Sequence, residues 1–331
     1  MERARSSHAR LSPDHLESRN STLHFTQGAS MQLGMIGLGK MGANMAQRLL
    51  DGGHQVTGFD PNADARKQLE GKGGGSAASL EALVQALPAP RVLWLMVPSG
   101  KVTDDTVAAL LALLDKGDTM IDGGNSNYKD SLGHAAKCKE KGVNYIDCGT
   151  SGGVWGLAEG YSMMVGGDEQ VVETLRPIFE TLAPGKDQGW GRVGPAGSGH
   201  FTKMVHNGIE YGLMQAYAEG FSILKHKQEF GLDLAQVAEI WRYGSVVRSW
   251  LLDLAADALK KNPQMDGVAP YVVDSGEGRW TVDAAMELSV SAPVITLSLM
   301  ERYRSRDDDS FADKLLSSLR NEFGGHAIKK E

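Results

Sequence analysis

Six residues, GLGKMG at positions 37–42, restrict this chain more than any other feature. They follow an apolar run, MQLGMI, and lead into the helical stretch NMAQRLLDGG, after which QVTGF is closed by Asp60. An apolar strand, a glycine turn, an amphipathic helix and a second strand make a βαβ unit. Gly37 permits the tight turn, Gly39 lets a pyrophosphate approach the backbone, and Gly42 lets the helix pack close to the strand. The pyrophosphate would lie on the helix N-terminus, where unpaired N–H groups and the dipole attract an anion. A glycine-rich turn with no ligand is the plain alternative; the flanking strand, the helix and the acidic residue that closes the unit argue against it.

Asp60 stands where a carboxylate accepts both hydroxyls of an adenosine ribose, and its charge repels a 2′-phosphate. NAD is therefore expected over NADP, although Arg66 could swing in to neutralise a phosphate. Leu38, Lys40 and Met41 complete the glycine loop as cofactor contacts. Val97, Pro98 and Asn125, in loops farther along, join them.

Strands and helices continue to alternate through RVLWLMVPS, TDDTVAALLALL, DTMIDGGN, a polar amphipathic helix ending at Lys141, NYIDCGTSGG and YSMMVGG. This pattern predicts a doubly wound, mostly parallel sheet with ligands at the carboxyl ends of its strands, where VPSG, DGGNS and CGTSGG fall. After the Gly/Pro-rich GWGRVGPAGSG the strand signals fade and helical periodicity takes over from about Ser198 to His226. The expected fold is an α/β Rossmann domain over 31–196, then an all-α domain over 197–331 that carries substrate and oligomer contacts and a C-terminal tail. Residues 1–30, polar and without the apolar core of a secretory signal, read as a disordered leader or upstream extension.

Within GSGHFTKMVHNGIEY, Lys203, Asn207 and Glu210 fall on one narrow helical face. A lysine and a glutamate on one face are commonly a solvated ion pair. Here Met204, Val205 and Ile209 flank them, so the helix is partly buried, and buried Lys and Glu need partners or altered proton affinities. Such groups suit acid and base work.

Composition removes other classes. A net charge of −7 disfavours a phosphate-tracking nucleic-acid surface. The sequence has no apolar run of the ~18 residues a membrane span needs. Cys138 and Cys148 have no metal-like or CxxC spacing and read as core residues in a reducing, cytoplasmic compartment. No metal is expected.

GLGKMG, DGGNS at 122–126, KMVHNGIEY at 203–211, GRWT at 278–281 and RNEFGGH at 320–326 together resemble 6-phosphogluconate dehydrogenase, decarboxylating, in its shorter bacterial form. That family belongs to the β-hydroxyacid dehydrogenase superfamily, and the likeness covers Met31 to His326. It implies oxidation of 6-phosphogluconate at C3, then loss of carbon dioxide to give ribulose 5-phosphate, a step of the pentose phosphate pathway. By resemblance Lys203 is the general base and Glu210 the acid that protonates C1 of the enediol. Asn207 and His206 hydrogen-bond the substrate, although a core histidine is a near-equal reading of His206. Asn125, Ser151, Gly152 and Gly153 bind hydroxyls, carboxylate or cofactor. Tyr211, Arg279, Thr281, Arg302, Arg320 and His326 match the phosphate site. Tail residues in this family reach a neighbouring subunit's site, so a homo-oligomer, dimer or tetramer, is implied.

Two departures are visible. Arg279 stands where the long form has lysine, which keeps charge but changes geometry. Asp60, Pro61 and Asn62 replace the Asn-Arg-Thr-like run of NADP-using members. Two rivals remain: a 3-hydroxyisobutyrate-type dehydrogenase that does not decarboxylate, and a non-catalytic dinucleotide-sensing or assembly protein. The first needs neither Glu210 nor the arginine set; the second leaves the Lys203 face without purpose.

Overall fold

The computed structural model describes residues 30–324 and 327–329; the expected leader up to residue 29, and His326, lie outside the described residues. Among the described residues, eight strands form one sheet: β1 (Gln32–Ile36), β2 (Gln55–Phe59), β3 (Gly75–Ser76), β4 (Val92–Leu95), β5 (Thr119–Asp122), β6 (Asn144–Ser151), β7 (Ser162–Gly166) and β8 (Trp190–Gly194). Their order is β3-β2-β1-β4-β5-β6-β7-β8, parallel throughout except between β6 and β7. The link from β6 to β7 is too short for a full crossover helix, so the chain returns antiparallel.

Helices α1 (Lys40–Asp51), α2 (Ala63–Gly71), α3 (Leu80–Ala86), α4 (Lys101–Leu113), α5 (Tyr128–Lys141), α6 (Gly156–Glu159), α7 (Glu169–Thr174) and α8 (Arg176–Leu182) join the strands. Alternation along the strands divides the core in two. Leu33, Met35 and Trp94 pack with Met45 and Leu49 of α1, whereas Ile36, Leu93 and Leu95 pack with Leu83 of α3 and Leu110 of α4. Period two on the strands, and period 3.6 on the helices that cover both faces, account for the architecture expected from the sequence.

One local feature departs from the sequence reading, and another carries no signal in it. GWGRVG, taken as a boundary, forms β8, because pairing with β7 overrides the weak strand preference of glycine. Arg48, on the buried face of α1, is 3% exposed and donates to the carbonyls of Thr181, Leu182, Ala183 and Leu157. A guanidinium there supplies donors to carbonyls at the end of α8 and in α6.

The helices beyond the sheet are α9 (Ser198–His226), α10 (Leu234–Trp241), α11 (Trp250–Lys261), α12 (Glu277–Glu287), α13 (Pro293–Arg304) and α14 (Phe311–Gly324). With 29 residues, α9 is about 44 Å long and runs from the sheet into the helical region. The fully buried carboxylate of Asp147 in β6 holds its start, accepting from Gly197 N at 2.6 Å and His200 N at 2.8 Å. Glycines let it lie close. A Cβ on Gly199 would meet the Asp147 carbonyl at 2.4 Å, and one on Gly149 would meet Lys203 Cβ at 2.3 Å. Farther along, α9 packs against α12 and α13 through Tyr211, Val282 and Leu299.

Candidate active site

Two cavities adjoin over the carboxyl ends of the strands. One, of about 750 Å³, opens between β1 and β4, where the strand order reverses. Gly37, Gly39, Lys40, Met41, Gly42, Asp60, Val97, Pro98 and Asn125 line it, so nearly the whole expected cofactor set is gathered there. The second, of about 1100 Å³, is lined by Asn125, Ser151, Gly152, Gly153, Lys203, His206, Asn207 and Glu210. Met41, Asn125 and Thr150 border both. Trp155, Trp250 and Leu254 add an apolar wall to the second cavity that no sequence motif marks.

The glycine loop has the shape a dinucleotide requires. Gly37 has φ +91°, and a Cβ there would lie 2.4 Å from the Met96 carbonyl oxygen. A Cβ on Gly42 would lie 2.0 Å from the Gly37 oxygen, whereas one on Gly39 would meet nothing within 4 Å. The first and last glycines are thus needed by the fold and the middle one by whatever enters the cavity. No side chain caps the N-terminus of α1, which leaves its amides for an anion.

Leu38 stands apart from the set: its side chain is buried in the sheet core, and only its N–H reaches the site, donating to Asp60 Oδ2 at 2.8 Å. Asp60 Oδ1 accepts from Asn62 N at 2.8 Å. Each oxygen keeps a second lone pair for a ribose hydroxyl. Arg66 donates to the carbonyls of Asp60 and Pro61, which places its guanidinium at the same rim.

Lys203 is 6% exposed, and its Nζ donates to Asn207 Oδ1 at 2.5 Å, with His206 Nδ1 at 3.5 Å. Burial depresses its proton affinity below that of an ordinary amine, against the opposing pull of Glu210 and then Glu277. Glu210 sits one turn beyond His206, its Oε2 4.0 Å from His206 Nδ1, half-buried on the cavity wall. A shielded amine and a more accessible carboxyl therefore share one chamber.

The expected phosphate residues are arranged differently. Thr281 is buried where α9 and α12 cross, bonded to the Met204 and Glu277 carbonyls. Arg279 pairs with Asp274 at 2.5 Å and with the Tyr303 hydroxyl at 3.0 Å. Arg302 lies 3.5 Å over the Tyr211 ring and donates to the Val273 carbonyl, while Arg306 donates to that of Val272. Tyr211 in turn meets Asp274 and Ser275. Together they pin segment 271–276 beside α9, outside the walls of both cavities. Arg320 is exposed on α14.

One carboxylate within this region carries no signal of its own in the sequence beyond its place in GEGRWT. Glu277, 5% exposed at the start of α12, accepts from Asn125 Nδ2 at 2.8 Å and from Ser275 Oγ at 2.6 Å. Among the described residues no group of three or more His, Cys, Asp or Glu side chains is placed to hold a metal ion. No helix among them is long and apolar enough to cross a membrane.

A nucleotide cradle at the strand reversal, joined to a chamber holding a buried lysine, defines a dinucleotide-dependent oxidoreductase. Residues 32–191 match the family model for the NAD binding domain of 6-phosphogluconate dehydrogenase, and 199–324 match that for the C-terminal domain of the same enzyme. The chain belongs to the 6-phosphogluconate dehydrogenase family. It is 44% identical over 302 residues to the NAD(+)-dependent, decarboxylating 6-phosphogluconate dehydrogenase of Haloferax volcanii, covering 91% of this chain and 99% of that one. A Bacillus subtilis enzyme of the same description is 39% identical over 286 residues, 82% of this chain but 61% of its own length. Among solved structures, Plasmodium falciparum 6-phosphogluconate dehydrogenase superposes with a TM-score of 0.77 at 28% identity, over 91% of this chain and 66% of that one.

Proposed function

We propose that this chain oxidises 6-phosphogluconate and decarboxylates it to ribulose 5-phosphate and carbon dioxide, with a nicotinamide cofactor. The observation that carries the reading is Lys203. It is desolvated, bonded to Asn207, and shares a chamber with Glu210 beside the nucleotide cavity.

Gly37, Gly39 and Gly42 with the first amides of α1 would hold the cofactor's pyrophosphate, and Asp60 its ribose. The bound nicotinamide supplies the acceptor for the hydride that leaves C3. Lys203, neutral because burial disfavours its ammonium form, takes the C3 hydroxyl proton. The carbon–carboxylate bond of the resulting 3-keto acid then breaks, its electrons flow toward the C3 oxygen, and Lys203 returns the proton there. Glu210 protonates the carbon that lost carbon dioxide, while the enol hydroxyl at C3 gives its proton back to Lys203 and the ketone of ribulose 5-phosphate forms. Asn207 orients the amine, while His206, Asn125, Ser151, Gly152 and Gly153 surround the sugar acid. Tyr211, Arg279, Thr281 and Arg302 would serve the phosphate end, with Arg320 and His326 supplied by a second copy.

NAD is the preferred cofactor in this reading, since Asp60 presents a negative charge where NADP would bring a 2′-phosphate. A homo-oligomer is supported by the apolar side chains left exposed on the helical region, among them Ile223, Val294, Leu297, Phe311 and Leu316. The change from sheet to helices at Ser198 supports the domain boundary at 196/197. A reducing, cytoplasmic setting accords with two buried, unpaired thiols, which burial pushes up to about 11 for Cys138 and about 12 for Cys148.

The test is an assay of 6-phosphogluconate oxidation with NAD and NADP, with carbon dioxide measured alongside. Wild type should release one carbon dioxide per cofactor reduced and favour NAD in kcat/KM. Lys203→Met should lose at least ~10²-fold in kcat. Cofactor reduction without carbon dioxide release, or a fully active Lys203→Met, refutes the mechanism.

A further inference from the structure

Glu277 is a buried carboxylate to which the mechanism so far gives no task. It bridges parts of the chain 152 residues apart, joining the start of α12 to Asn125 in the loop after β5. Asn125 borders both cavities, so the contact lies at the seam between cofactor and substrate spaces. A carboxylate only accepts hydrogen bonds. The Asn125 amide must therefore turn its nitrogen toward Glu277, which leaves its oxygen for the cavity. Ser275 Oγ donates to the other carboxylate oxygen at 2.6 Å, and Gly276 N–H fixes Asp274 below it, so the carboxylate is held from the pinned segment 271–276. Its place in the first turn of α12 suits a negative charge.

The charges around Lys203 narrow its partners to a few. On its own helix stand His206 and Glu210; from the facing α12 comes Glu277. Several other charged groups on the elements packed against α9 are engaged elsewhere. Asp147 of β6 holds the N-terminal amides of α9, Arg192 of β8 the Gly167 carbonyl, and His134 of α5 pairs with Asp104. Lys129 of α5 pairs with Glu287 of α12, Arg302 of α13 stacks on Tyr211, and Asp253 of α11 pairs with Arg242.

We propose that Glu277 is a positioning residue for the reaction: it turns the Asn125 amide oxygen toward the substrate, and it faces Lys203 with a negative charge from across the interhelical contact. The negative charge steadies the ammonium that Lys203 becomes after taking the C3 proton. It thereby offsets part of the desolvation that would otherwise leave the amine too weak a base. This rests on the role given to Lys203 above.

Glu277→Gln keeps the shape and an acceptor for Asn125 but removes the charge, and Glu277→Ala removes both. Two readouts are compared with wild type: the acid limb of kcat/KM against pH, and the pH dependence of Lys203 acetylation by dilute acetic anhydride in cofactor-free enzyme, followed by peptide mass mapping. Only the neutral amine acylates, so removing the nearby negative charge moves both midpoints to lower pH. A displacement of ~0.3 unit or more is expected in Glu277→Gln. Glu277→Ala should show the same displacement and in addition a KM for the sugar acid raised ~10-fold, about 1.4 kcal/mol, as Asn125 loses its support. Unmoved midpoints in Glu277→Gln, with Lys203→Met inactive, overturn the role of Glu277 alone. An active Lys203→Met overturns the base assignment itself, whatever the Glu277 variants do.

Discussion

Gly149→Ala tests whether the position of the lysine helix is set by contact with the sheet. Gly149 lies in β6, directly beneath α9, and an added methyl would sit 2.3 Å from Lys203 Cβ and 2.8 Å from the Gly199 carbonyl oxygen. Carbon atoms rest at about 3.5 Å or more, so α9 must retreat by roughly 1.2 Å at this crossing. No rotation of the Lys203 side chain avoids it, because the clash involves Cβ and a backbone oxygen. Overpacking of this kind costs about 1–3 kcal/mol, which lowers Tm by several degrees in a protein of this size. Activity should suffer more, since a displacement of about 1 Å in a catalytic group costs ~10²-fold in rate. Thermal melting and kcat measured on the same preparation separate the two effects. A Gly149→Ala enzyme that melts like wild type and turns over within twofold of it refutes the argument that this glycine sets the depth of Lys203.

Gly39→Ala makes the opposite prediction: its methyl would enter open cavity space, so Tm should be unchanged while the cofactor KM rises by ~10-fold or more, read from melting curves and steady-state kinetics. Glu210→Ala should lower kcat by roughly 10²-fold or more with little change in cofactor binding, and an unchanged kcat would assign the proton to another group. Arg48→Met should unfold at lower denaturant, with about 3 kcal/mol lost because the carbonyls of Thr181, Ala183 and Leu157 lose the guanidinium donor, while the folded fraction retains wild-type kcat.

The elements that sequence made legible are those whose reasons are local. GLGKMG sits between a strand and a helix because the positive φ of Gly37 and the contact of Gly42 with the Gly37 oxygen both act within one turn, whereas the approach of Gly37 to the Met96 carbonyl is a matter of the folded sheet. The shared face of Lys203, Asn207 and Glu210 follows from helical spacing, and α9 spans the residues its periodicity marks out, whereas Ile209, read as a flanking apolar residue, is 53% exposed. β8 was not legible, because its glycine-rich residues become a strand only through β7. Arg279 and Arg302, expected at the phosphate site, could be named from sequence, yet their placement against Tyr211 and segment 271–276 depends on three separate helices meeting.

What the sequence alone determined is the nucleotide loop, the alternation that builds the sheet, and the lysine face of the long helix, since each is a matter of neighbours within a few turns of chain. Tertiary structure decided how deeply the amine is buried, which carboxylates face it, and that Glu277 meets Asn125. Those depend on desolvation and on charge, and both are set by what the folded chain brings close rather than by what lies adjacent along it.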